Sequence, residues 1–224
     1  TAGKGGDVSL SVGAGTKGIG GQVRVLAGNT DGTTGGAISM TTGYGTTKSS
    51  GLVQVRSYDA GAAGISGAML FATGTTSNGD SGEISVSTGA ATAGKSGDII
   101  VSLGSSVTEE SGHLIASAGT STPAAAGTGG SVSVASGVGT DTSSGSVVVK
   151  SVNSGGGDNS GGVSGYLSFV SGTTSSGTSG LMKLSTGSAT EGKAGNIEIS
   201  VGTGNTLVAG DFVLGAGLSS DLTG

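Results

Sequence analysis

An alternation of apolar and polar positions recurs along the whole chain. The segment GDVSLSVG, starting at residue 6, sets the pattern: Gly at position 1, apolar residues at 3 and 5, mostly Ser, Thr or a charge at 4 and 6, and Gly at 8. The phrase returns as GQVRVLAG at 21, GAISMTTG at 36, GLVQVRSY at 51, GAMLFATG at 67, GEISVSTG at 82 and GDIIVSLG at 97. It continues as GHLIASAG at 112, GSVSVASG at 130, GSVVVKSV at 145, GYLSFVSG at 165, GLMKLSTG at 180, GNIEISVG at 195 and GDFVLGAG at 210. Ten of the thirteen steps are 15 residues; the other three, of 16, 18 and 20, put their extra residues in the linking loops. Period-two alternation predicts an extended segment with one face turned to a core. Gly at both segment ends suits sharp corners.

A longer period overlies the short one. GAISMTTGYGTTKSSG in repeat 3 matches GSVSVASGVGTDTSSG in repeat 9, and repeats 5 to 7 match repeats 11 to 13. Repeats 4 and 10 both lack the closing Gly (Tyr58, Val152), both carry a base at position 6 (Arg56, Lys150), and both precede a lengthened loop. Residues 1–224 therefore read as a single array containing a six-repeat super-repeat.

One such segment cannot bury its apolar face alone, so neighbours must share a core. The constant period predicts a parallel β-solenoid of fourteen units of about 15 residues, two units per turn, with about 28 side chains at positions 3 and 5 forming the core. A three-sided coil also fits the six-repeat period, and an antiparallel meander is the alternative, with loops long for hairpins. The chain opens mid-pattern at TAGKGG and neither end carries a capping helix. Exposed strand edges pair with one another, so the expectation is end-to-end assembly with further copies, or a longer parent chain.

Composition removes several classes of function. Gly alone accounts for 51 of 224 residues, charged residues for 10% and aromatic residues for 3%. There is no Cys, hence no disulfide framework or thiolate metal site. The net charge of −5 disfavours nucleic acid. No apolar run reaches the ~20 residues of a membrane span, and no signal-peptide pattern opens the chain.

Two phosphate-binding patterns occur. GAATAGKS at 89–96 fits G-x-x-x-x-G-K-[ST], and GAGTKG at 13–18 fits G-x-G-x-x-G. A P-loop needs a following helix whose N-terminus holds the phosphates. Here the alternating segment GDIIVSL follows, and the related loop after repeat 12, GSATEGKA, lacks the hydroxyl that would meet Mg²⁺. The repeat explains both matches, and no cofactor is expected. Lys4, Lys95 and Lys193 each precede a polar residue by three, Asp7, Asp98 and Asn196, and read as exposed pairs.

No catalytic or metal-ligating set emerges. His113 is the only His and stands at an outward position. Asp7, Asp98 and Asp211 repeat with the array rather than cluster. The chain is expected not to be an enzyme. Outward Ser and Thr (Ser9, Ser11, Ser39, Thr41, Ser85, Ser87) allow an ice-binding reading, but Arg24, Gln54, Arg56, Lys183 and Glu198 interrupt the array. The dense Ser and Thr of the loops suit O-glycans; none of the six Asn lies in an N-x-[ST] sequon. Arg56, Tyr58 and Lys150, beside the enlarged loops at 59–66 and 153–164, are the candidate lateral contact, to a second chain or to an acidic glycan.

The pattern G-x-V-S-V-x-x-G followed by loops such as TTSSGTS resembles the Gly/Ser/Thr-rich tandem repeats of extracellular fibre and cell-surface proteins, as predicted in heterokont algae. The repeat length is also similar to that of trimeric autotransporter adhesin heads, whose N-S-V-A-I-G signature this chain lacks. The first resemblance implies a secreted scaffold, extracellular or at the cell surface, with no catalytic residues to carry over.

Overall fold

A computed structural model describes residues 3–107, 110–122, 127–154, 162–204 and 208–217. The chain divides into two halves, Thr1–Ser111 and Gly112–Gly224. Repeats 1 to 7 lie in the first and repeats 8 to 14 in the second.

The 15-residue period is kept in three dimensions by the loops. The backbone bends sharply at 16–18, 31–33, 46–48, 77–79, 92–94, 140–142, 175–177 and 190–192. Each of these bends occupies positions 11 to 13 of its repeat. A turn at 62–63, closed by the Gly64 amide donating to the Gly61 carbonyl at 3.1 Å, does the same work after repeat 4.

Several loops close at their base through one main-chain hydrogen bond. The Gly36 amide donates to the Gly28 carbonyl at 2.9 Å, and the Gly51 amide to that of Gly43 at 3.2 Å. In the second half Gly130 donates to Gly119 and Gly145 to Gly137, both at 2.9 Å. The two pairs sit at matching places in the super-repeat, after repeats 2 and 3 and after repeats 8 and 9. A loop whose ends meet in this way is an Ω-type closure.

Where the closing hydrogen bond forms, it accounts for the Gly at position 1. A Cβ on Gly36 would lie 3.2 Å from the Ala27 Cβ, on Gly51 3.2 Å from the Thr42 Cβ, and on Gly145 3.4 Å from the Ser136 Cβ. In each case the neighbour is position 7 of the preceding repeat, so consecutive segments approach most closely at the loop base. The least exposed described residues cluster there too: Ala27, Thr42, Gly45, Gly139 and Ser171.

Inside the segments the alternation survives as a difference in shielding. Ile99, Ile100 and Val101 are 55%, 82% and 69% exposed, and Val147, Val148 and Val149 are 52%, 73% and 61%. The middle residue of each trio stands at position 4 and is the most exposed. The difference is one of degree, since all six side chains stay more than half exposed.

The β-solenoid expectation is overturned. Among the described residues there is no helix and no strand, so neither the stacked coil of two units per turn nor the antiparallel meander is formed. No described side chain is buried, and the positions expected to form the core are solvent-exposed. The physical reason is that a strand exists through its ladder, whereas among the described residues the main-chain hydrogen bonds that join consecutive repeats are those at the loop base. Gly loses more backbone entropy on ordering than any other residue, and with only two large apolar residues, those at positions 3 and 5, on the predicted core side of most segments little burial is available to offset that loss. Such a chain is low-complexity in composition. Edge-to-edge strand pairing accordingly has no strand edge among the described residues to start from.

Candidate functional site

The structure brings together two of the three candidate contact residues. Arg56 and Tyr58 occupy positions 6 and 8 of repeat 4, and the Arg56 Cζ stands 5.8 Å from the centroid of the Tyr58 ring. Residues two apart in an extended segment project to the same side, which places the guanidinium over the ring. Both side chains are exposed, and a cation–π contact in that setting contributes ~0.5–1 kcal/mol. The pair presents a positive charge and an aromatic edge together, beside the loop at 59–66.

Lys150 belongs to the other half of the chain. It occupies the equivalent of the Arg56 position in repeat 10, in the second half of the chain, where Val152 replaces the Tyr. Its aliphatic neighbour offers no ring, so the cation–π contact is particular to repeat 4. The enlarged loop after repeat 10 spans 153–164, and its residues 155–161 lie outside the described residues.

The phosphate-loop lookalikes are ordinary loops of the array. GAATAGKS bends at 92–94 and runs into an extended segment, with no helix N-terminus beyond it. Lys95, the residue that would reach a phosphate, donates instead to Asp98 Oδ2 at 2.9 Å. Lys4 does the same with Asp7 Oδ2 at 3.1 Å. Both pairs are solvent-exposed, and such pairs contribute ~0–1 kcal/mol. GAGTKG holds the bend at 16–18, with Gly18 at φ +91°.

The loop hydroxyls have a structural task of their own. The Asn78 amide donates to Thr76 Oγ1 at 3.3 Å, and the Ser176 amide to Thr174 Oγ1 at 3.3 Å. Thr76 and Thr174 stand at position 10 of the matching repeats 5 and 11, and each is followed by a glycine at positive φ, Gly79 (+123°) and Gly177 (+116°). The same side-chain turn and the same backbone excursion thus occur in both super-repeats. Short-range bonds of this kind are the known use of Thr in turns.

One feature escaped the sequence pattern. Phe169 of repeat 11, with Met182, Leu184 and the stem of Lys183 in repeat 12, lines an apolar recess of about 310 Å³. It lies between two consecutive segments. The signal that could have found it is the largest apolar residue at position 5 of one repeat followed by a Met–Leu pair at positions 3 and 5 of the next. Among the described residues no group of three His, Asp or Glu is placed to hold a metal ion. No helix of the described residues is long and apolar enough to cross a membrane.

No family model matches the chain, and no curated protein and no solved structure matches it.

Proposed function

We propose that the chain is a structural component of an extracellular filament or cell-surface layer, self-associating, with loop hydroxyls that carry O-glycans. The observation that carries this reading is the repetition of local geometry. Bends, loop closures and threonine turns fall at the same positions of successive repeats and at matching places of the two super-repeats. Periodic geometry presents the same chemistry many times over, which serves a scaffold; a catalytic centre needs one constellation assembled once. The Ser- and Thr-rich loops are exposed along the described chain, as modification of their hydroxyls requires.

Negative-stain microscopy of native material, with mass spectrometry of its peptides, tests the proposal. Filaments or a surface layer, with hexose masses on loop Ser or Thr, are expected. A monodisperse 20.6 kDa species at high concentration, without carbohydrate, would overturn it.

A second reading, adhesion to acidic glycans, is favoured by one specific arrangement. The exposed Arg56 beside Tyr58 joins a carboxylate-binding group to a ring edge. Binding of sulfated or uronic-acid oligosaccharides that is lost in Arg56→Ala would support it. Equal binding by the variant would remove it.

A further inference from the structure

We infer that the odd-position face of the extended segments is a self-association surface whose occupant is a second copy of this chain. The inference deepens the structural reading above by naming the surface through which the chain assembles.

The first support is the distribution of charge. Nine charged residues lie within the eight-residue segments: Asp7, Arg24, Arg56, Glu83, Asp98, Lys150, Lys183, Glu198 and Asp211. All nine stand at positions 2, 4 or 6, and none at 3, 5 or 7. Chance does not sort charges this way across fourteen repeats, and solubility needs no such sorting. A face kept free of charge along its whole length is one that leaves water.

The second support is area. Positions 3 and 5 hold 27 large apolar side chains, each at least 47% exposed. Taking ~60 Å² of uncovered apolar surface for each, the scale implied by ~25 cal/mol per Å² and ~1.5 kcal/mol per side chain, the seven repeats of one half leave on the order of 800 Å² uncovered. That is the ~800 Å² per partner of a standard stable interface. The recess lined by Phe169, Met182 and Leu184, with the even-position Lys183 at its edge, shows the face locally as a mainly apolar opening between two segments.

The third support identifies the occupant. A partner must offer uncharged apolar residues two positions apart, in segments that recur every 15 residues. This chain meets that description at every repeat. In an isologous contact the same patch meets itself, and an uncharged patch brings no like charges into opposition. Chains with too little burial of their own gain order on association, so the contact supplies the burial that a single copy lacks.

Sedimentation velocity of the full chain over a range of concentrations tests this. The first variant adds four negative charges to the odd face: Phe71→Glu, Val86→Glu, Phe169→Glu and Leu184→Glu. The second adds the same four charges to the even face of the same repeats: Ala72→Glu, Ser85→Glu, Ser168→Glu and Ser185→Glu. With no buried core among the described residues, neither set removes packing from one. The expected result is association of the unaltered chain, at least a tenfold weakening in the odd-face variant, and retention in the even-face variant. Association that persists in the odd-face variant, or that both variants lose alike, overturns the assigned surface and leaves the structural reading standing. An unaltered chain that stays monomeric throughout overturns both.

Discussion

The loop after repeat 9 offers a quantitative test of loop closure. A Cβ on Gly139 would lie 2.5 Å from the Ser143 carbonyl oxygen and 2.8 Å from that of Thr142. These are backbone atoms, so the clash cannot be relieved by a rotamer change; the loop itself must open. What it loses first is the hydrogen bond at its base, from the Gly145 amide to the Gly137 carbonyl at 2.9 Å. A hydrogen bond of this kind contributes ~0.5–1.5 kcal/mol net, which is about a two- to tenfold shift in the closed population. Gly139→Ala is therefore expected to raise the exchange rate of the Gly145 amide by about that factor, read by NMR hydrogen exchange. The matching loop after repeat 3 provides a replicate: a Cβ on Gly45 would lie 2.6 Å from the carbonyl oxygens of both Lys48 and Ser49, and the Gly51 amide reports. Gly94→Ala is the control, because a Cβ there meets nothing within 4 Å. Unchanged exchange at Gly145 and Gly51 in the two loop variants, or an equal change caused by the control, would refute closure as the element that keeps the period.

Gly177→Ala forces a side chain onto a backbone at φ +116°, a conformation that costs a non-glycine residue ~1–3 kcal/mol; loss of the bond from the Ser176 amide to Thr174 Oγ1 should appear as faster exchange at Ser176. Lys95→Ala removes an exposed pair with Asp98 and should change stability by no more than ~1 kcal/mol, with ATP and NAD titrations flat before and after; ATP binding abolished by the substitution would revive the phosphate-loop reading. Val213→Pro, which would remove a ladder donor from a strand, is expected to act within ~0.5 kcal/mol because Val213 is exposed and lies in no strand; a large loss of assembly in that variant would restore strand pairing as the route.

Much of this chain was legible without coordinates. The 15-residue period, its phase and the place of the loops follow from spacing, because alternation is a local property of an extended backbone. Ile99, Ile100 and Val101 differ in exposure as their positions 3, 4 and 5 require. The Lys95–Asp98 pair also follows from separation by three residues. What alternation leaves open is the identity of whatever lies opposite the apolar face. Whether Val147 and Val149 meet another segment depends on non-local pairing, whose loop-closure and ordering entropy must be recovered by burial. Only the tertiary structure shows that, among the described residues, segments meet at the Gly of position 1 and the residue at position 7 without forming strands. The same holds for the Arg56–Tyr58 contact and the recess at Phe169, which depend on the local path of the backbone. A pattern can state that a face seeks cover; the geometry of a single copy shows that it does not supply that cover itself.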